Sequence, residues 1–77
     1  MARAALGDQQ AAIQDFNQAI KLKPDYAHAY YSRGSARKAL GDKQAAIEDY
    51  QKAADLYQQQ GNTEWHQNAL NQIKTLQ

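Results

Sequence analysis

Apolar residues recur at helical spacing in three stretches of the chain. In the first stretch Ile13, Phe16 and Ile20 stand at positions i, i+3 and i+7, with mostly polar residues between them. Equivalent stripes in the other two stretches are made of Ile47, Tyr50 and Ala54 and of Trp65, Ala69, Ile73 and Leu76. A period near 3.6 residues is typical of helices with one buried face. The pattern therefore predicts an all-α protein.

Glycine and aspartate mark two predicted turns. Gly7-Asp8 and Gly41-Asp42 each combine a residue suited to a left-handed helix end with a residue suited to cap the next helix. Both dipeptides therefore predict a tight turn between antiparallel helices.

Two further breaks divide the rest of the chain. Pro24 ends a helix, because proline lacks a backbone donor, and Asp25 is then placed to cap a helix over residues 26–40. The next predicted helix runs on to about Gln60. After Gly61-Asn62, residues 63–76 form a last helix whose polar outer face is typical of the cap of a helical stack.

An internal repeat organises these helices. Residues 3–22 and 37–56 are identical at twelve of twenty positions, at an offset of 34 residues. Helix, tight turn and helix at a fixed period predict antiparallel helix-turn-helix repeats stacked as a solenoid. We divide the chain into a partial repeat (1–26) lacking most of its first helix, a complete repeat (27–60) and a capping helix (61–77).

Composition and charge narrow the functional classes. The 77 residues include fifteen Ala, twelve Gln and only six β-branched residues, which favours helices over sheets. The absence of cysteine excludes disulfides and thiolate metal sites. A net charge of +1 gives no field that would draw the chain to nucleic acid or to a membrane. No apolar run is long enough for a signal peptide or a membrane span, so a cytoplasmic location is expected.

With this period and these motifs, the chain resembles a tetratricopeptide repeat protein. The matching residues are Tyr30, Gly34 and Ala36 in the first helix, the pairs Ala12 with Phe16 and Ala46 with Tyr50 in the second helices, and Pro24. The chain departs from the family pattern at Arg33, Arg37, Arg3 and Gln58, where the family usually has leucine, tyrosine, tyrosine and proline.

The resemblance implies a protein-interaction module rather than an enzyme. In this family the first helices line a concave groove that receives an extended peptide or a partner helix. His28, Tyr31, Ser35 and Lys38 share one face of the complete first helix and are the candidate peptide contacts, although the same face also fits a merely solvated surface. A clamp for a C-terminal carboxylate is not predicted, because His28 and Ser32 stand where such a clamp would carry Lys and Arg.

The first apolar stripe is a candidate self-association face. Only Met1 to Leu6 of the helix that would cover Ile13, Phe16 and Ile20 is present in the sequence. Each large apolar side chain left in water costs about 1.5–3 kcal/mol. We therefore expect a symmetric or domain-swapped homo-oligomer as one alternative to a foreign protein partner, and RNA binding by a helical repeat as a weaker one.

Charged residues at repeated places allow two interpretations. Arg33 and Arg37 lie one turn apart, and Asp15 and Asp49 are equivalent under the repeat. The arginines could form an anion site, but ion pairs with both aspartates between helices are favoured, since arginine readily forms bidentate pairs.

Candidate catalytic or cofactor-binding residues are not found in the sequence. His28 and His66 are 38 residues apart with no ligand partners at metal-binding spacing, and the four glycines are dispersed rather than grouped in a phosphate loop. Trp65 is expected in the core of the capping helix. We expect no metal, no cofactor and no enzymatic activity.

Overall fold

Four helices follow one another in the computed structural model, which describes residues 6–77 and side chains from residue 8 onward. They are α1 (Leu6–Leu22), α2 (Ala27–Ala39), α3 (Lys43–Gln59) and α4 (Thr63–Leu76), and no strand occurs within these residues. The main packing contacts join α1 to α2, α2 to α3 and α3 to α4. This architecture confirms the predicted all-α, tetratricopeptide-like stack.

Glycines end two of the helices in the same way. Gly41 and Gly61 have φ angles of 85° and 75°, in the left-handed region that glycine adopts without steric cost. After α2, the N–H of Gly41 donates to the carbonyl of Lys38 (3.0 Å), and the N–H of Asp42 donates to the carbonyl of Arg37 (2.9 Å). The same pair of bonds recurs after α3, so both turns are Schellman motifs that satisfy the last carbonyls of the helix.

Side-chain caps begin the two helices that follow these glycines. Asp42 Oδ1 accepts from the N–H of Ala45, and Asn62 Oδ1 accepts from the N–H of Trp65, both at 3.3 Å. Each cap satisfies a backbone donor that the first turn of a helix leaves free. The predicted turns at residues 41–42 and 61–62 are therefore confirmed.

The predicted turn at Gly7-Asp8 is wrong. Helix α1 begins at Leu6 and contains both residues, with Asp8 in its first turn. Glycine accepts the right-handed conformation as readily as the left-handed one, and a carboxylate in the first turn is favoured by the helix dipole. Local chemistry therefore allows the helix to start before these two residues.

The predicted Asp25 cap is also wrong. Tyr26 is the N-cap of α2, and no side chain caps this helix. Asp25 lies inside a turn that the N–H of Tyr26 closes on the carbonyl of Lys23 (3.0 Å), so it stands one residue too early for the N-cap. The predicted end of the first helix before Pro24 is confirmed, since α1 ends at Leu22.

Small and aromatic residues fill the core between α2, α3 and α4. Tyr50 and Tyr57 are the largest fully buried side chains. Gly34 lets α2 approach α3 closely, because a Cβ atom at this position would lie 3.2 Å from the Ala46 carbonyl oxygen and from atoms of Asp49 and Tyr50. The other buried apolar residues come from α2, α3 and α4 and are Ala27, Ala29, Ala36, Ala46, Ala53, Ala54, Leu56, Ala69 and Ile73.

An ion-pair cluster joins α2 to α3. Arg33 Nε and Nη2 donate to the two carboxylate oxygens of Asp49 at 2.9 and 2.7 Å, and Arg37 Nη1 donates to the same carboxylate at 3.1 Å. The Asp49 side chain is 4% exposed. Hydrogen bonding to Asp49 raises the pKa of Arg33 above its ordinary value, against the opposing effect of burial. The two arginines thus pair with a carboxylate that would be costly to bury without partners.

Helix α1 joins this cluster through a different residue from the one expected. Arg33 Nη1 donates to Asn17 Oδ1 of α1 at 2.7 Å. The prediction that the arginines also pair with Asp15 is wrong, because both guanidinium groups are directed to Asp49 and Asp15 is exposed. The expected end of a first helix in Met1 to Leu6, and Arg3 as the equivalent of Arg37, fall almost entirely outside the described residues.

Replacing the two equivalent aspartates should have very different effects. We expect Asp49→Asn to lower the free energy of unfolding by about 2–4 kcal/mol, because it breaks a buried ion pair from one side. For a domain of this size the melting temperature should then fall by roughly 10 °C or more. Asp15→Asn should change stability by less than about 0.5 kcal/mol, as at other exposed sites. Thermal melts followed by circular dichroism test this, and equal shifts in the two variants would contradict it.

Two glycine-to-alanine variants separate steric from conformational effects. Gly41→Ala meets no atom within 4 Å, so its cost comes from the positive φ alone and should be about 1–2 kcal/mol. Gly34→Ala instead forces a Cβ into the α2–α3 contact. Its cost is steric, because the helical conformation itself favours alanine over glycine. Chemical denaturation should show that Gly41→Asn lowers the free energy of unfolding less than Gly41→Ala does, because asparagine tolerates a positive φ. An equal loss in the two variants would refute the conformational explanation.

Candidate functional site

Two neighbouring cavities lie between α1 and α2. The larger, of about 490 Å³, also borders α4, and its lining comprises Gln9, Ala12, Phe16, His28, Tyr31, Ser32, Ser35, Ala36 and Trp65. The smaller, of about 250 Å³, is lined by Asp15, Phe16, Ala19, Tyr26, His28, Ala29 and Ser32. Phe16, His28 and Ser32 line both cavities, and we call the two together the α1–α2 groove.

Helix periodicity explains how α2 supplies one wall of the α1–α2 groove. His28, Ser32 and Ser35 stand at i, i+4 and i+7, so their side chains project from one face. Gly34 on another face packs against α3. Because the Gly34 contact fixes how α2 is rotated against α3, it also aims these polar side chains at α1.

The predicted contact strip is only partly assembled in the α1–α2 groove. His28, Tyr31 and Ser35 line the larger cavity. Lys38 lines neither cavity, and its Nζ donates to Gln72 Oε1 of α4 at 2.8 Å. Three of the four residues therefore line one cavity, while the fourth ties α2 to the capping helix.

Aromatic rings form a cluster behind the groove. The ring of Tyr31 makes edge contacts with those of Tyr50, Trp65 and Tyr57, at centroid distances of 5.2, 5.3 and 6.5 Å. His28 meets Trp65 edge to face at 4.9 Å. Such edge contacts stabilise aromatic pairs beyond the area that they bury. Tyr31 and Trp65 therefore support the wall of the groove as well as lining it.

Hydrogen bonds hold two of the polar groups in place. Tyr57 Oη lies 2.5 Å from His28 Nδ1, and Ser35 Oγ lies 2.8 Å from Tyr50 Oη. Burial, assisted by the nearby Tyr31, raises the pKa of Tyr57 to about 12, so its phenol keeps its proton at neutral pH.

The three residues of the predicted self-association face differ in whether they line the groove. Ile13, Phe16 and Ile20 are all half-buried. Phe16 lines both cavities, whereas Ile13 and Ile20 line neither. Self-association through these residues remains a prediction.

Sequence reasoning missed the contribution of Phe16 and Trp65 to the groove. The sequence pattern places Phe16 on a self-association face and Trp65 in the core of the cap, yet both line the larger cavity beside the polar residues of α2. The repeat does indicate that Phe16 lies at a helix interface, because its equivalent residue, Tyr50, belongs to the interface with α2. Nothing in the periodicity of α4 distinguishes a ring that packs inward from one that borders a cavity.

In the described part of the chain, the other histidine takes part in packing rather than lining the groove. His66 Nδ1 donates to the Ala54 carbonyl at 2.8 Å, which fixes α4 on α3. No group of three or more metal-ligating side chains occurs among the described residues. Within residues 6–77, no helix combines the length and the apolar character required to cross a membrane.

Comparison with known families agrees with this geometry. One family model, a TPR repeat, matches residues 2–41, and a second, a tetratricopeptide repeat, matches residues 27–60. Searches of curated proteins and of solved structures found no match. The chain belongs to the tetratricopeptide repeat family, whose repeats generally serve as protein-interaction modules.

Because Tyr57 is buried, the free energy of unfolding should depend on pH in the alkaline range. Its pKa of about 12 in the folded chain exceeds the value near 10 of an unfolded tyrosine, so the folded chain retains a proton that the unfolded chain loses. The free energy of unfolding should therefore be unaffected below about pH 10 and should fall as the pH rises from there toward 12.

Thermal melts across this pH range test the prediction. The decline in melting temperature should be shallower in Tyr57→Phe, and the remaining slope should include Tyr50, whose pKa is also raised, chiefly by burial. Identical slopes in the variant and the original chain would show that Tyr57 is not responsible.

Proposed function

We propose that this chain is a non-catalytic protein-interaction module that holds a partner peptide or helix in the α1–α2 groove. The observation that carries the proposal is the convergence of His28, Tyr31 and Ser35 with Phe16 and Trp65 around one cavity of about 490 Å³. Ligand sites generally combine apolar and aromatic walls with a few fixed polar groups. A partner side chain would be anchored by the aromatic rings and oriented by the polar residues.

The chemistry of the larger cavity favours an uncharged or weakly polar segment of a partner. Its lining contains no Asp, Glu, Lys or Arg side chain, and its polar residues are Gln9, His28, Ser32 and Ser35, with the Tyr31 hydroxyl. Amide, imidazole and hydroxyl groups can bond to a backbone or to polar side chains without requiring a counterion. Large apolar residues of the partner would supply most of the binding free energy by displacing water from Phe16 and Trp65.

The bonding of the polar groups supports binding rather than catalysis. His28 Nδ1 is engaged by Tyr57, and Ser35 Oγ is engaged by Tyr50. A nucleophile and its general base need to bond to each other or to a reacting group. These two residues instead bond to tyrosines of α3, which holds the groove wall in a fixed shape.

Filling the α1–α2 groove should weaken binding without unfolding the chain. The half-buried Ser32 lines both cavities, so Ser32→Trp places a large ring in the space that a ligand would occupy. For a peptide selected by the original chain from a peptide array, we expect at least about a tenfold loss of affinity, measured by isothermal titration calorimetry.

A matched variant controls for the added tryptophan. Gln51 is exposed on α3 and lines neither cavity, so Gln51→Trp should bind the selected peptide as the original chain does. Circular dichroism melts of both variants verify that each remains folded. Unchanged affinity in a folded Ser32→Trp variant would exclude the α1–α2 groove as the binding site.

A further inference from the structure

The ion-pair cluster between α2 and α3 holds more positive than negative charge. Arg33 and Arg37 each carry a guanidinium, and among the described residues Asp49 is the one acid that pairs with them. The fourth member, Asn17 of α1, bonds to Arg33 and is neutral. We call these four residues the arginine cluster. Two cations and one carboxylate leave one positive charge without a counterion.

The two cations of the arginine cluster are neighbours. Arg33 Nε and Arg37 Nη1 both donate to the same oxygen, Asp49 Oδ2, at 2.9 and 3.1 Å. Like charges at such a separation repel each other. Their side chains are 17% and 27% exposed, so water and salt screen this repulsion less than they would on an open surface. A second anion would therefore be stabilised at this place.

Arg37 has the free donors to bind that anion. A guanidinium carries five N–H donors, and Arg33 uses all three of its nitrogens on Asp49 and Asn17. Within the described residues, Arg37 donates through Nη1 alone. Its Nε and Nη2 remain, which are the same two groups through which Arg33 grips both oxygens of Asp49. This fork matches the geometry of a carboxylate.

The exposed bases beside the arginine cluster add to its positive field. Lys21 lies four residues after Asn17 on one face of α1, and Lys52 lies three residues after Asp49 on one face of α3. Both lysines are exposed, and neither forms an ion pair within residues 8–77. An anion that approaches Arg37 therefore meets a locally positive surface, although the chain as a whole carries a net charge of only +1.

Nearby acids do not supply the missing charge. Glu48 directly precedes Asp49 and therefore lies about 100° away from it around α3. Asp42 lies two turns before Asp49, but its carboxylate caps α3 by accepting from the N–H of Ala45. Asp15 of α1 lines the smaller cavity of the groove. None of these three pairs with an arginine of the cluster in the described part of the chain.

We infer that the arginine cluster binds a carboxylate from an acidic segment of a partner protein. Arg37 is the main contact, and it holds the two oxygens of the ligand through Nε and Nη2. Further acidic residues of the same segment lie near Lys21 and Lys52, where charge attraction in solvent speeds association more than it strengthens binding.

The arginine cluster is separate from the α1–α2 groove. Arg37 comes two residues after Ser35, so at about 100° per residue it stands on nearly the opposite side of α2 from this groove residue. Under the 34-residue repeat, a helix before α1 would pack at Asp15, the equivalent of Asp49, which lies on nearly the opposite side of α1 from Asn17. The site therefore depends neither on what precedes α1 nor on the proposed function.

Charge balance favours a carboxylate over a phosphate group as the ligand. A carboxylate carries one negative charge, which matches the single positive charge that the arginine cluster leaves uncompensated. A phosphate carries about −1.5 to −2 at neutral pH. It would bring an excess of negative charge beside the carboxylate of Asp49, which is 3% exposed and cannot withdraw into water.

Nuclear magnetic resonance with an acidic peptide tests the inference on the full chain. The probe is hexaglutamate with acetylated and amidated ends. In an isotope-labelled chain, the Nε–Hε resonance of Arg37 should shift and saturate as peptide is added, and that of Arg33, which Asp49 already holds, should move less. Because this readout needs no variant, an Arg37 resonance that does not respond up to about 10 mM peptide would overturn the inference.

A pair of variants separates the arginine cluster from general charge attraction. Arg37→Gln should weaken binding about tenfold, because it removes the charge and the fork while Arg33 keeps both bonds to Asp49. Lys74→Gln, at an exposed position of α4, changes the net charge from +1 to 0 in the same way and should leave the affinity nearly unchanged. Circular dichroism melts verify that both variants fold, and equal losses in the two would contradict the assignment to Arg37.

Two further probes exclude other ligands and the other face of α2. A hexapeptide of phosphoserine that binds at least tenfold more tightly than hexaglutamate would overturn the choice of a carboxylate. Ser32→Trp, which fills the α1–α2 groove, should leave the affinity for hexaglutamate unchanged. If Ser32→Trp blocks hexaglutamate, the acidic segment binds in the groove and the inference is wrong, whereas the proposed function is unaffected by either result.

Discussion

The buried carboxylate of Asp49 is the constraint on which the arrangement of the helices depends. It accepts three hydrogen bonds from two arginines of α2, and Arg33 extends the network to Asn17 of α1. An ionised group this deep in a small core is tolerated only if its partners are held in position. The cluster and the close approach at Gly34 together set the rotation of α2, and with it the face that α2 turns toward the groove.

The sequence predicted the fold closely where local chemistry and helix packing agree. Gly41 and Asp42 form the expected turn, because the carbonyls of α2 receive their N–H groups and Asp42 caps α3. The identical dipeptide Gly7-Asp8 lies within α1 instead. A Gly-Asp dipeptide suits both a tight turn and the first turn of a helix, so it does not determine by itself which of the two forms. The outcome depends on contacts with other helices.

The candidate site was less accessible to sequence reasoning. Periodicity along α2 groups His28, Tyr31 and Ser35, and these three line one cavity, since residues on one helix face stay together in any packing. It also included Lys38, whose long side chain reaches α4 instead. Phe16 and Trp65 come from other helices, and their meeting with α2 depends on how the helices are rotated and spaced. Similarly, the repeat made Asp15 and Asp49 equivalent in sequence, but only Asp49 faces both arginines.

Helices α1 and α3 differ in how the described residues hold them. Among the described residues α1 packs chiefly on α2, whereas α3 is enclosed between α2 and α4. A helix that packs on one neighbour opens at a lower free energy than a helix enclosed by two, and a ligand that bridges it to its neighbour opposes that opening by mass action. If the α1–α2 groove holds a ligand as proposed, its occupancy would protect α1 from proteases, and the lifetime of this part of the chain would follow the supply of that ligand.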